Sequence, residues 1–344
     1  MKTDIRAGLA SGLLMACLAL AGCNGGGSSD AEAAPVPDED PVNVGETPPA
    51  PNIVHPDIVD EVRAEGRIVN PGIAELYKPK QNIGPLEGVQ KIGNIHYGPD
   101  ERQFVDVFTQ QTRSTDELAP VVVFVHGGAY IGGAVTTPGS FPYDNIGKYF
   151  VRNGLVFVNV EYRLAPDHKW PTGGQDVSSA IAWAHSNISQ YGGDPNKMFV
   201  MGHSAGATHA AHYAFDTRVQ ANGGDDGVVG AILLSPQVSE ETLGNNKTYF
   251  PTPFTPDMAP LNHINERDLP VFLGVAQYDS MNFQNDVAKL YSALCQRDDQ
   301  CPAIKTAQQH NHMTSVYHIN TEDDTYGSDL LTFIRDVTTR PAAE

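Results

Sequence analysis

The chain has 344 residues, 40% apolar and 18% charged, a composition that suits a globular protein with a large core. Its 41 acidic residues against 22 basic ones give a formal charge of −19. That balance argues against a nucleic-acid partner, since no basic face could form without an even more acidic opposite one, and it disfavours anionic substrates.

Residues 1–22 read as a signal peptide, with Lys2 and Arg6 as its positive region and residues 7–20 as an apolar stretch too short to span a bilayer. Leu20-Ala21-Gly22-Cys23 resembles a bacterial lipobox, in which the leader is cut before a cysteine that carries lipid; the resemblance makes Cys23 the lipidation site. Asn24 follows, not Asp. By likeness to Gram-negative lipoproteins, this implies an outer-membrane protein of the cell envelope, held on the periplasmic or surface face by acyl chains. Residues 23–51 continue as Gly, Ser, Pro, Ala and acidic residues, with no Lys or Arg between Arg6 and Arg63. Such a segment cannot bury enough apolar surface to fold and is expected to be a disordered acidic linker.

Residues 52–344 remain for one folded domain. A short helix is expected around 57–64, then strands at 89–97 and 104–108 separated by the turn signal Gly98-Pro99-Asp100. The run Val121-Val122-Val123-Phe124-Val125 reads as a strand buried on both faces and leads into His126-Gly127-Gly128-Ala129-Tyr130. A helix near 145–152, a strand at 155–160, a helix over 174–190 and a turn at Gly192-Gly193-Asp194-Pro195 follow. Next comes a short apolar run from Met198, then Gly202-His203-Ser204-Ala205-Gly206, then an Ala-rich helical stretch. This strand, tight turn and helix is the setting of a nucleophile elbow. Strands at 228–234 and 269–276, a helix over 287–294, a strand near 304–307 and a closing helix over 329–337 complete the pattern. Alternation of strand and helix predicts an α/β fold with a mostly parallel sheet and helices on both faces.

Four cysteines are present: Cys17 leaves with the leader, Cys23 carries lipid, and Cys295 and Cys301 stay in the domain. Their short spacing fits a local disulfide in an oxidising compartment, with two free thiols as the alternative. No metal site is expected, because no second Cys or His pair stands at ligand spacing nearby.

A serine hydroxyl needs a base to take its proton and an acid to orient that base. After Ser204 the chain supplies Asp279, just past a buried strand, and His312, between the last strand and a helical stretch. Asp286 is the fallback acid and His310 the competing base. Gly127, Gly128 and Ala129 form a loop whose amides could turn toward a developing oxyanion, and Ala205 adds another. The loop lacks the Gly-Lys-Ser/Thr of a phosphate-binding P-loop. His209 and His212 are read as helix-surface or core-edge histidines, and His203 as a packing or hydrogen-bonding residue. Residues 238–267, with Tyr249, Phe250 and Phe254, are candidates to wall a pocket.

Together, His126-Gly127-Gly128-Ala129, Glu161-Tyr162-Arg163-Leu164-Ala165-Pro166, Gly192-Gly193-Asp194-Pro195 and Gly202-His203-Ser204-Ala205-Gly206 resemble the hormone-sensitive-lipase-like and related carboxylesterases of the α/β-hydrolase superfamily. The likeness runs from about residue 91 onward. It implies an α/β-hydrolase catalytic domain over 52–344 and cofactor-free hydrolysis of small to medium carboxylic esters. Ser204, Asp279 and His312 would be the triad, and Gly127, Gly128, Ala129 and Ala205 the oxyanion loop, supported by the Tyr162-Arg163-Leu164 segment. Three departures from the family pattern leave the branch open, with the feruloyl-esterase-like and formamidase-like branches as alternatives. Ala129 replaces the third loop glycine, His203 replaces the usual Asp, and Pro-Leu does not follow Asp279. An arylformamidase or amidase would use the same residues, whereas a lipid-anchored binding protein on a dead hydrolase fold would lack a triad member.

Overall fold

The computed structural model describes residues 57–66, 70–81, 88–113, 117–136, 141–220 and 226–340. The leader, Cys23 and the acidic linker lie outside the described residues. Helices α1 (Val59–Glu65) and α2 (Ala74–Tyr77, a single turn) precede the sheet. Strands β1 (Val89–His96) and β2 (Phe104–Gln110) form the expected antiparallel pair. The chain then alternates through β3 (Ala119–Val125), α3 (Asp144–Arg152), β4 (Val156–Val160), α4 (Thr172–Asn187), β5 (Gly193–His203) and α5 (Ala205–Phe215). After them come β6 (Val228–Leu234), the single turn α6 (Glu240–Leu243), β7 (Val271–Ala276) and α7 (Met281–Asp298). The last elements are β8 (Ala303–Ala307), the single turn α8 (Thr314–Tyr317) and α9 (Gly327–Thr339).

Among the described residues, eight strands form one sheet in the order β1-β2-β4-β3-β5-β6-β7-β8. It is antiparallel at β1-β2 and β2-β4 and parallel elsewhere. Val123 faces Val158 of β4 on one side and Val200 of β5 on the other. Because side chains alternate along a strand, β3 feeds two cores. Val121, Val123 and Val125 pack with Val177 and Ala180 of α4, Ala210 and Ala214 of α5, and Leu290 and Leu294 of α7. Val122 and Phe124 pack on the other face with Ile146 and Phe150 of α3 and Leu330 and Ile334 of α9. Burial on both faces is why these strands read as unbroken apolar runs rather than as alternation.

Most boundaries shift by only a few residues from expectation, and two differences bear on the site. The turn ahead of β5 shrinks to Gly192, which takes a left-handed φ of 79°, and Gly193 already pairs with Ala119. Helix α7 starts at Met281 instead of residue 287, because its first turn contributes no buried apolar residue and so carries no period. At the other end of α7, the sulfur atoms of Cys295 and Cys301 lie 2.16 Å apart as a disulfide.

Candidate active site

Ser204 stands between β5 and α5 at φ 58°, ψ −126°, a conformation that side-chain-bearing residues rarely adopt. Its neighbours make the turn possible. A Cβ at Gly202 would collide with the Gly206 carbonyl, and one at Gly206 with the Val125 carbonyl, so strand and helix close only around glycines. The Ser204 amide donates to the Leu234 carbonyl at 2.9 Å, fixing the turn to the end of β6.

Asp279 follows β7 and His312 follows β8, both at carboxyl ends of parallel strands, where open α/β sheets gather their ligand sites. The structure brings the two together: His312 Nδ1 donates to Asp279 Oδ1 at 2.6 Å. Asp279 Oδ2 accepts from Ser235 Oγ at 2.6 Å and from the Ala276 amide at 2.8 Å. Burial alone would push the Asp279 carboxyl up, but the His312 ring, the Ser235 hydroxyl and the Ala276 amide outweigh it and hold it below its ordinary value. An ionised carboxylate can only accept, so His312 carries a proton on Nδ1, and Nε2 is the ring nitrogen not committed to Asp279.

The competing assignments go elsewhere. His310 bonds Thr314 Oγ1 at 3.1 Å and lies beside Asp323, 3.2 Å away, inside the core. Asp286 accepts from the Val238 amide at 2.7 Å, from Ser239 Oγ at 2.6 Å and from Thr242 Oγ1 at 2.5 Å, clasping the turn after β6 to α7. His209 and His212 are not surface residues, since both are buried on α5, packed between that helix and its aromatic neighbours. The reason is that every residue of α5 is buried, which its Ala-rich sequence permits.

The glycine loop curls beside the elbow. Gly128 has φ 141°, Ala129 φ 52° and Tyr130 φ 68°, a run of positive values that turns successive amides the same way. The amides of Gly128, Ala129 and Ala205 donate to no group among the described residues, whereas that of Gly127 donates to the Tyr143 hydroxyl at 3.3 Å. Ala205 is also the first residue of α5, where the helix dipole favours negative charge. Behind the loop, Tyr162 Oη donates to the His126 carbonyl at 2.9 Å, and Glu161 accepts from the Val135 amide at 3.0 Å while pairing with Arg102. Burial opposes the charge of Glu161, yet His126, the Val135 amide and Arg102 keep its carboxyl below the ordinary value.

Ser204, His312, Gly127, Gly128, Ala129 and Ala205 all line one cavity of about 520 Å³, within the usual range for small-molecule sites. None of the described residues lining it is Asp, Glu, Lys or Arg. Tyr249, Phe250 and Phe254, expected in the wall, sit one layer behind it. Tyr249 stacks on Tyr130 at 4.7 Å, and Tyr130 lines the cavity. The segment reaches the cavity through Asn246 instead. Ser235, Gln237, Asn246, Tyr143 and Phe283 were not anticipated. Ser235 carried one usable signal, its position directly after an apolar strand, where the sites of such sheets collect.

A match to the alpha/beta hydrolase fold family covers residues 122–305, and the chain belongs to that family. Among individual proteins, it is 38% identical over 112 residues to esterase LipC of Mycobacterium tuberculosis, a match covering 33% of this chain and 27% of that protein. The chain thus spans about a quarter to a third of the length of the curated relatives it matches. Among solved structures, a hyperthermophilic esterase from the archaeon Pyrobaculum calidifontis superposes with a TM-score of 0.63 at 21% identity, over 84% of this chain and 100% of that one. A bacterial heroin esterase gives 0.63 at 19% identity, over 84% of this chain and 99% of its own. At these identities the solved structures speak for the fold.

Proposed function

We propose that the protein is a serine carboxylesterase that hydrolyses small to medium carboxylic esters through an acyl-enzyme. The observation carrying this reading is the 2.6 Å bond that ties His312 to the buried Asp279, with the His312 ring lining the same uncharged cavity as a serine held on a left-handed turn. Esterase names among the relatives support it. His312 Nε2 takes the Ser204 proton as Oγ attacks the ester carbonyl carbon, and Asp279 steadies the imidazolium that forms. Charge moves onto the carbonyl oxygen, which the amides of Gly128, Ala129 and Ala205 stabilise. As the tetrahedral adduct collapses, His312 returns the proton to the departing alcohol. Water then repeats the sequence on the acyl-enzyme, releasing the acid and restoring Ser204. The uncharged lining suits neutral esters, as does the acidic chain.

Hydrolysis of p-nitrophenyl esters from acetate to laurate, wild type beside Ser204→Ala, tests the reading. The variant is expected to lose at least about three orders of magnitude in kcat. Undiminished activity would overturn the mechanism. The lipobox likeness supports a second part of the proposal, that Cys23 is acylated and anchors the protein at the outer membrane. Cys23→Ser is expected to move it from the membrane to the soluble fraction, and a variant that stays membrane-bound would refute the anchor.

A further inference from the structure

His203 is the last residue of β5, directly before Ser204, and is fully buried. Its Nε2 lies 3.0 Å from the backbone carbonyl oxygen of His312. A carbonyl only accepts, so His203 is the donor, and the bond joins two residues 109 positions apart. The two imidazole rings also pack against each other, with centroids 4.6 Å apart. His203 Nδ1, by contrast, is buried with no partner among the described residues. Leaving a buried polar atom without a partner destabilises the fold, so a residue serving only to fill this space would be better apolar. The value of the imidazole lies in its Nε2–H.

That bond answers a geometric need. Ser204 stands at the end of β5, while the loop bearing His312 springs from the end of β8, three strands along the sheet and so roughly 14 Å from β5 at the usual strand spacing. The loop is tied at its root to the end of β7, where the Tyr278 amide donates to the His310 carbonyl at 2.9 Å. Ser315 Oγ donates to the same His312 carbonyl at 2.8 Å, but from within the loop, so it cannot hold the loop to β5. His203 can, because it is covalently next to the nucleophile. Burial, and then the neighbouring His312, hold the His203 pKa at about 3, so the ring stays neutral and the charge on His312 during turnover meets no second cation.

We infer that His203 is a positioning residue, whose Nε2–H pins the loop of the catalytic base to the turn of the nucleophile. This rests on the esterase reading for its kinetic consequence but not for the pin itself. The test compares the full-length protein with His203→Gln, His203→Asn and His203→Phe. A glutamine amide can place its donor where Nε2 stood, whereas an asparagine amide places it at the Nδ1 position, where there is no acceptor. With p-nitrophenyl butyrate, Gln is expected to keep kcat within about threefold, while Asn and Phe lose it at least about thirtyfold with KM changed less than about threefold. Hydrogen exchange of the peptide spanning 308–318 provides the readout independent of activity: Gln protects as wild type does, and Asn and Phe exchange about tenfold faster. Equal behaviour of Asn and Gln, unchanged exchange in Phe, or faster exchange with intact kcat would each overturn the assignment. Wild-type protein without Ser204-dependent hydrolysis would sink the esterase reading alone, and exchange would still decide the pin.

Discussion

Asp279 has three partners, and they do different things. The Ala276 amide and the Ser235 hydroxyl satisfy Oδ2, while Oδ1 is reserved for the base. Only the Oδ1 contact sets the tautomer of His312. Asp279→Asn keeps the shape but can present its amide N–H to His312 Nδ1, which then accepts and leaves the proton on Nε2, where a base must be empty. We therefore expect kcat to fall on the order of 10³–10⁴ with KM nearly unchanged, by the tautomer argument established for other triads. Ser235→Ala removes one hydrogen bond from a carboxylate that retains two, and should cost at most on the order of a hundredfold, in line with roughly 1.5–3 kcal/mol for a hydrogen bond to a charged group. Steady-state kinetics on the pair checks both. If Ser235→Ala were as damaging as Asp279→Asn, the hydroxyl and not the tautomer would govern the base.

At the level of elements, legibility followed burial. The strands β3 to β7 are buried and stand out as apolar runs, and from their order the sheet and the strand-end positions of Ser204 and Asp279 could be read, whereas β8, which precedes His312, is mostly exposed. Loops and helix ends carry no such period. The first turn of α7 was therefore invisible, yet it places Phe283 against the His312 ring at 4.3 Å. Asn246 reaches the cavity from a segment whose aromatics looked more promising, and Gln237 from just ahead of it, because the aromatics found their apolar partners behind the wall and left the polar residues at its surface. The choice between His310 and His312 was open for a related reason. Two histidines two residues apart on a loop have no periodicity to separate them, and only the folded loop sends one to Asp279 and the other to Asp323. The role of His203 depends wholly on a contact across 109 positions.

For the molecule as a whole, buried histidines set the response to acid before the carboxylates do. His203 is held at about 3, His209 well below its ordinary value and His212 below it, in each case first by burial. Unfolding returns them to roughly 6.5. Below about pH 6.5 the unfolded chain binds more protons than the folded one, so stability falls as pH drops, with each such histidine adding at most about 1.4 kcal/mol per pH unit. The carboxylates of Glu161, Asp216, Asp279 and Asp323, all held below their ordinary values, act in a lower window. Their contribution is complete above roughly pH 4 and is lost only as pH falls through their folded values. Urea midpoints at pH 7.5, 6.5, 5.5 and 4.5 should thus decline from the second point onward. His209→Phe isolates one contributor: both ring nitrogens of His209 lack partners among the described residues, and Tyr130, Tyr162 and Tyr249 meet the ring edge-on at 5.3, 4.9 and 5.2 Å. A phenyl ring in that setting needs no hydrogen bond and takes no proton. The variant should be at least as stable as wild type at pH 7.5 and lose stability less steeply below pH 6.5, by about 1.4 kcal/mol per unit. A wild-type midpoint flat from pH 7.5 to 5.5 would show that these imidazoles keep ordinary proton affinities in the folded protein.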